Sequence, residues 1–327
     1  MNSLGFYWAI YFASIGFSGT QIGLIFTIVM ITGLFITLPT GLINDRITSK
    51  RIIQIGLILV MIEMFLLSQT QSFPLMLLLF FIGGLGSNLH NISIDSLFYK
   101  TSGKKNSSHN IKTYISYYLL GAGLGAIFSG NLLGYINFQK YLLIVFGLVV
   151  VLLILSAFLP GTETFKFDVR DYKKDIWKPH VLLFIAIIFC FAIHMGSEFT
   201  SYGPFLKENL GLTFPQMGLY IGGAIVFMFI SVRIANRMIE KGIKMRTIIT
   251  IGLLASGLGY LIMLHPIIPI SFIGRVIHEA GDAFMFVFLY TGVSQFFKTE
   301  RIGGNSGLIT LTQTSAMAAS ALVFGPL

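Results

Sequence analysis

Four ionisable residues in one apolar stretch, Arg275, His278, Glu279 and Asp282, stand at i, i+3, i+4 and i+7. On an α-helix those positions share one face. A second apolar stretch carries His194 and Glu198 four residues apart, with Tyr202 continuing that face. Charged side chains in such stretches are costly, so each is a candidate for function. The chemistry that suits the set is proton binding and release. Burial disfavours a carboxylate, a neighbouring guanidinium favours it, and histidine exchanges protons near neutrality. Arg275 would neutralise one carboxylate and leave Glu198, Glu279 or Asp282 to carry a proton, with His194 or His278 sharing the load. The competing reading is a structural ion-pair network that holds the two helices together. Metal chemistry is a third. His278-Glu279-Ala280-Gly281-Asp282 has the outline of the zinc-protease H-E-x-x-H, but Asp282 stands where the second histidine is needed and no other ligand run is obvious. No metal, cofactor or enzyme activity is therefore expected.

Other polar residues punctuate apolar stretches. Asn88 and Asn91 lie on one stripe with His90 off it, Tyr7, Tyr11 and Ser14 fall in the first stretch, and Glu63 stands alone in the third. The elements that position them follow from composition. Of 327 residues, 55% are apolar and only 11% charged, against about 25% charged in soluble domains. Apolar runs recur near 4–17, 20–43, 51–69, 73–98, 112–136, 140–160, 181–206, 215–235, 247–264, 267–296 and 303–327. They are too long for barrel strands and predict eleven membrane-spanning helices, an all-α polytopic membrane protein. Glycines such as Gly121, Gly123, Gly125, Gly130 and Gly134 in the fifth span suit close helix–helix approach in lipid. The single cysteine, Cys190, can form no intrachain disulfide.

Net charge is +9, which in a soluble protein would suggest a nucleic-acid partner. Here the basic residues occupy alternate short loops, so no nucleic acid is expected. Arg46, Lys50 and Arg51, then Lys100, Lys104, Lys105 and Lys112, then Lys166, Arg170, Lys173, Lys174 and Lys178, then Arg233, Arg237, Lys241, Lys244 and Arg246, and finally Lys298 and Arg301 share one side: 19 of the 22 lysines and arginines. Lys140 and Lys207 fall on the other, and Arg275 lies within a span. This bias puts the basic loops in the cytoplasm and the chain in a plasma or inner membrane.

The two halves resemble each other at an offset of 195 residues. Ser18-Gly-Thr-Gln21-Ile-Gly23 lies over Thr213-Phe-Pro-Gln216-Met-Gly218, Asp45-Arg46 over Glu240-Lys241, and Arg51 over Arg246. The repeat predicts an N-terminal helix bundle over 1–160, a solvated cytoplasmic linker over 161–180, and a C-terminal bundle over 181–327. It also bears on the ends. The seventh span begins near Val181, so its counterpart should start 14 residues before Met1, and Leu327 corresponds to the end of the fifth span. The expectation is a twelve-helix parent that lacks the start of its first helix and all of its twelfth; the alternative is an eleven-helix protein that begins at Met1.

The loop Gly41-Leu-Ile-Asn-Asp45-Arg46-Ile-Thr-Ser-Lys50-Arg51 resembles the signature of the major facilitator superfamily, G-x-L-a-D-R-x-G-R-R/K. Gly41, Asp45, Arg46 and Lys50 match, whereas Thr48 replaces the second glycine and Ser49 the following arginine. A degenerate copy runs from Asn236 to Arg246. The resemblance covers the whole chain and implies two pseudo-symmetric six-helix bundles, with about eleven of twelve helices present. It implies that this loop latches the bundles, that Asp45 faces the N-terminus of the eleventh span near Gly303 to Asn305, and that Asp95 pairs with Arg46 or Lys50. It further implies that spans one, four, seven and ten line a central cavity, and the polar residues of those spans resemble the acid–histidine–arginine clusters of proton-coupled sugar permeases. In the fifth span Gly121, Gly125, Ser129 and Gly130 half match the family's antiporter pattern, with Ala126 in place of its proline.

The expected function is secondary transport of a small solute by alternating access, coupled to a proton, with export favoured and the protein acting as a monomer in the bilayer. The alternatives are a proton-coupled importer of sugars or organic anions and a transporter-like sensor that binds without moving its ligand.

Overall fold

A computed structural model of the chain describes residues 5–102, 107–164 and 170–324; Lys104, Lys105 and Lys166 of the charge pattern lie outside the described residues. Each of the eleven expected spans coincides with helix: α1 Gly5–Ser14, α2 Gly19–Arg46, α3 Ser49–Leu67, α4 Phe73–Ser102, α5 Ser107–Tyr135, α6 Phe138–Ser156, α8 Pro179–Ser197, α9 Phe214–Glu240, α10 Met245–Met263, α11 Ile268–Phe296 and α12 Ile302–Phe324. Six of these (α2, α4, α6, α8, α9 and α10) are long and apolar enough to cross a membrane by composition alone. The remaining long helices are diluted by polar residues and glycine: α3 by Lys50, Arg51 and Glu63, α5 by Gly, Ser and Asn, α11 by Arg275, Glu279 and Asp282, and α12 by Gly, Ser and Thr.

Two features differ from the expectation. A short helix, α7 (Arg170–Ile176), forms in the segment read as a solvated linker, and it buries Tyr172 and Asp175. The seventh span does not run on as α-helix to 206. It ends at Ser197 and continues as two π-helical turns, Glu198–Tyr202 and Phe205–Asn209. A π-turn inserts a residue into the helical ladder and re-aims every side chain beyond it.

The repeat has a local physical meaning. Ser18 caps α2 by accepting from the Gln21 backbone N–H at 3.3 Å, while Gln21 Oε1 accepts from the Ser18 N–H at 2.9 Å. Thr213 and Gln216 form the same reciprocal box at the start of α9, the Gln216 oxygen lying 2.9 Å from the Thr213 nitrogen. Both boxes satisfy donors that a helix start otherwise leaves bare.

The helices group into two compact units. One contains Lys104–Ile136 and Tyr202–Gly292, hence α5, α9, α10 and most of α11. Its central seam joins α5 to α9. Glycines set the separation there: a Cβ on Gly222 would lie 2.5 Å from the Gly123 carbonyl oxygen, and one on Gly218 would lie 2.8 Å from that of Ala126. In the same unit α10 and α11 meet through Gly259 against His278 and Gly281 against Ser256, both at backbone contact. The other unit contains Tyr7–Gly103, Asn137–Ser201 and Val293–Leu327. Here α2 packs on α4 and α12, α3 on α4 and α6, and α8 on α12. A Cβ on Gly41 would stand 2.5 Å from the Gly303 carbonyl oxygen, and one on Gly86 would stand 2.7 Å from that of Gly56.

Lipid offers no hydrophobic drive for helix association, so these close approaches supply much of the packing energy. Gly222→Leu and Gly41→Leu are therefore expected to lower the thermal midpoint of the purified protein by several degrees, whereas Gly121→Ala and Gly147→Ala, where a new Cβ meets open space, leave it within about 2 °C. Fluorescence-detected size-exclusion after graded heating reads the difference.

Candidate functional site

Two clusters gather the chemistry. The first sits where α2 ends and α12 begins. Asp45 is fully buried. Its carboxylate accepts from the backbone N–H of Gly303 at 2.9 Å and of Gly304 at 2.7 Å, the first bare donors of α12. A helix N-terminus carries partial positive charge and unpaired N–H groups, so a carboxylate is well placed there. The Tyr172 hydroxyl donates to Asp45 Oδ2 at 2.9 Å, and the Lys100 ammonium lies 3.4 Å from Oδ1 while donating to the Asn44 carbonyl at 2.5 Å. Gly303 and Gly304 leave room for this: a Cβ on Gly303 would fall 2.6 Å from Asp45 Oδ1, and one on Gly304 would fall 2.5 Å from the Tyr172 ring.

A second carboxylate, Asp175, extends the network. Its Oδ2 accepts from Arg301 Nε at 2.8 Å and from the Asn305 amide at 3.4 Å, and Lys178 lies 3.6 Å from Oδ1. Burial by itself would raise the Asp175 pKa, but Arg301, Asn305 and Lys178 outweigh it and hold the carboxyl below the ordinary aspartate value. Burial and the neighbouring Asp45 charge push the Tyr172 phenol well above its usual value, so it remains a donor at any physiological pH.

The signature's other residues are placed as follows. Arg46 ends α2 and is exposed. Lys50 donates to the Ala157 carbonyl at 2.6 Å and so ties α3 to the end of α6. Asp95 is half-buried in the last turns of α4, five residues before Lys100. Lys100, Tyr172, Asp175 and Arg301 were not singled out by the sequence reading. Tyr172 and Ile176, four apart in a charged segment, are the trace of an amphipathic helix that would have found the second pair.

The second cluster lies on α11 and the elements packed around it in its unit. Arg275 Nη2 pairs with Glu279 Oε1 at 2.6 Å, and both side chains are nearly inaccessible. The Arg275 guanidinium also lies over the Tyr202 ring, 4.7 Å from its centroid, and reaches the Met263 sulfur at 3.6 Å. One turn on, His278 Nε2 stands 3.7 Å from Asp282 Oδ2, while its Nδ1 lies 2.9 Å from the Ser256 carbonyl oxygen and 3.2 Å from the Ser256 hydroxyl. The first contact fixes a proton on Nδ1, so a neutral ring presents its Nε2 lone pair towards Asp282. Tyr202 donates to Tyr220 at 3.1 Å, and the Tyr220 hydroxyl meets Ser271 at 2.7 Å. Tyr202, Arg275, His278, Glu279 and Asp282 are thus brought into one group within one unit.

The remaining candidates belong to the other unit. His194 Nδ1 lies 2.5 Å from the Phe191 carbonyl oxygen, and Glu198 opens the first π-turn. Tyr11 stacks on Phe138 with ring centroids 4.0 Å apart and meets the Gln139 amide at 3.3 Å, and Tyr7 is fully buried. Both tyrosines are held in a packed core. Asn88 accepts from the Thr37 hydroxyl at 3.3 Å and donates to the Gly84 carbonyl at 2.8 Å, bridging α4 to α2, whereas Asn91 is exposed beside His90.

Apolar helices of spanning length define an integral, multi-pass membrane protein. The chain belongs to the Major Facilitator Superfamily, whose family model matches residues 1–321, and is a transporter of that family. No curated protein sequence matches it. Among solved structures it is similar to the human organic anion transporter MFSD10 (TETRAN), with a TM-score of 0.70 and 16% identity over 98% of this chain and 82% of that one. It is likewise similar to the nucleoside transporter NupG, with a TM-score of 0.70 and 15% identity over 99% of this chain and 86% of that one. At such identities the likeness is one of fold.

A carboxyl held below its unfolded value stabilises the structure above that value, about 3.9 for aspartate, and the contribution is lost as pH falls through the folded value. Hydrogen exchange of α7 is therefore expected to be flat between pH 7 and 5 after correction for intrinsic rates, and to rise only below about pH 4. Arg301→Ala should raise it at pH 7, because Asp175 would keep its burial and lose its chief partner.

Proposed function

We propose that the protein moves a small solute by alternating access and couples that movement to a proton carried on the α11 cluster. The observation that supports this is the pair of adjoining buried partnerships on one helical face, Arg275 with Glu279 and His278 with Asp282. They differ electrostatically. Arg275 is always charged, so its pair with Glu279 is neutral overall without a proton. The His278–Asp282 pair is neutral only while it holds one extra proton. A low-dielectric site therefore gains most from proton uptake at the second pair. Glu198 and His194 are the further candidates on the pathway, with Tyr202, Asn88 and Asn91 shaping it.

Asp45 at the start of α12 supports the reading of Gly41, Asp45, Arg46, Lys50 and Asp95 as a latch that stabilises one conformational state. The basic loops face the cytoplasm of a plasma or inner membrane. Export is the favoured direction, on the half-matched pattern Gly121, Gly125, Ser129 and Gly130.

A second reading has a specific observation behind it. The Arg275 guanidinium is sandwiched between an aromatic ring and a carboxylate. An organic-anion substrate would compete with Glu279 for it and release that carboxyl to take a proton, which couples import of the anion to protons. The similar transporter MFSD10 carries organic anions by its own description.

The chain reconstituted in liposomes with an internal pH dye tests the proposal against pools of sugars, organic acids and cationic drugs. A substrate-dependent pH change, abolished in His278→Gln and Asp282→Asn proteins that still elute as single species, is the expected result. Saturable uptake of a labelled compound with no pH change in the parent protein would refute proton coupling and leave the cluster as a structural network.

A further inference from the structure

The charge pattern that orients the chain does not account for how four basic residues are arranged on α5 and α9. His109 and Lys112 on α5, and Arg233 and Arg237 on α9, converge on a cleft of about 270 Å³ within one unit. That is room for about nine waters. Ser116 and Tyr117 complete its α5 wall. Loop charge needs only to be on the right side of a membrane. It does not need to line a concavity.

Ser116 supplies an independent observation. It is only 2% exposed, and its hydroxyl has no hydrogen-bond partner among the described residues. A serine within a helix ordinarily bonds back to a carbonyl one turn earlier. Ser129 on α5 and Ser231 on α9 do so, at 2.6 Å and 2.9 Å. Ser116 lines the cleft, and a buried unsatisfied polar atom calls for an explanation. The basic groups are partly prepared. Lys112 lies 3.2 Å from the exposed Glu240, and the Arg233 guanidinium is held over the Phe229 ring at 4.1 Å.

The repeat supplies a control. At the offset of 195 residues, Arg233 and Arg237 correspond to Leu38 and Leu42, and Lys112 and Ser116 to Gly307 and Leu311. The equivalent seam between α2 and α12 is closed, with a Cβ on Gly307 meeting the Gly41 backbone at 3.2 Å. The fold therefore does not require a basic cleft at this seam. One copy has it and the other does not.

We propose that this cleft is a phosphate-binding site that takes the headgroup of an anionic phospholipid. Paired arginines, a lysine and a serine hydroxyl are the donors that phosphate oxygens require. The cleft lies at the basic ends of two membrane-spanning helices, where anionic headgroups are found. Tyr117, 70% exposed, has the amphipathic ring that favours that depth, and Ile230 and Ile234, also exposed on α9, offer apolar surface for acyl chains. The same donors would accept a free phosphate, and the experiment separates the two sources.

The purified chain in neutral detergent is titrated with short-chain phosphatidylglycerol, with short-chain phosphatidylcholine, and with inorganic phosphate against chloride at matched ionic strength. The thermal midpoint is the readout. A saturable rise with phosphatidylglycerol, absent with phosphatidylcholine and lost in the Arg233→Gln/Arg237→Gln double variant, is expected. An equal rise with inorganic phosphate would keep the phosphate site and overturn the lipid as its occupant. Ser116→Ala, which alters no charge, should leave the ligand-free midpoint unchanged and weaken apparent binding about three- to tenfold; this variant carries the test if the double variant does not fold. No saturable rise, an equal rise with phosphatidylcholine, or undiminished binding by both variants would overturn the site.

Discussion

The buried carboxylate of Asp45 is the contact on which the architecture around it depends. A carboxylate removed from water is tolerated only if its lone pairs are filled and its charge is met. Asp45 takes two backbone N–H groups from the first turn of α12, a phenol from α7 and an ammonium from α4. Four helices drawn from both halves of the chain are thereby referred to one pair of oxygens. The glycines follow from this requirement. Only residues without a Cβ at 303 and 304 let the helix start come close enough to share its donors, and Gly41 removes the bulk that would hold α2 away. The cost of disassembly is steep for the same reason. Withdrawing any one partner strands a charge or a donor that the others cannot satisfy.

The internal repeat shows which constraints duplicate and which do not. Helix starts are duplicated faithfully: the Ser18–Gln21 and Thr213–Gln216 boxes solve the same problem of bare N–H groups with a hydroxyl residue and a glutamine three apart. Seams are duplicated in kind, as α2 against α12 and α5 against α9 are both set by glycine. Charge is not duplicated. Asp45 has Glu240 at its equivalent position, and Glu240 is an exposed partner of Lys112 rather than a buried cap. Packing geometry is a demand that every copy of the fold must meet, whereas a buried charge has to be earned by local partners, and one copy assembled them.

Much of this was legible in the sequence because it is one-dimensional information. Span positions follow from apolar length, the capping boxes from two residues three apart, and the shared face of Arg275, His278, Glu279 and Asp282 from helical spacing. The signature loop also located Asp45 near Gly303 and Gly304. What was not legible required knowing neighbours distant in sequence. Lys100 was counted as a topology determinant, yet it is buried 3.4 Å from Asp45. Asp175 looked like one more charge in a solvated linker, because its partners Arg301 and Asn305 lie 126 and 130 residues away. Tyr11 has the polar tip of a cavity residue, but its ring stacks on Phe138, and sequence spacing cannot tell which end of a tyrosine decides its place.

The π-helical turns after Ser197 bear most directly on the chemistry. With regular α-helical spacing, Tyr202 would continue the face of His194 and Glu198. A π-turn closes its hydrogen bond at i+5 rather than i+4 and so advances the following residues by one position. Tyr202, in the first π-turn, donates to Tyr220 and lies under the Arg275 guanidinium. A cation against a ring face in a dry environment gains more than it would in water, and the ring also limits the rotamers open to Arg275. The guanidinium is thereby oriented from three sides, by the Tyr202 ring, the Met263 sulfur and the Glu279 carboxylate. Of these only Glu279 carries a charge that a proton can remove. The Arg275–Glu279 pair of the α11 face thereby has one member whose charge a proton can remove, the arrangement that a protonation-dependent or anion-dependent change at Arg275 requires.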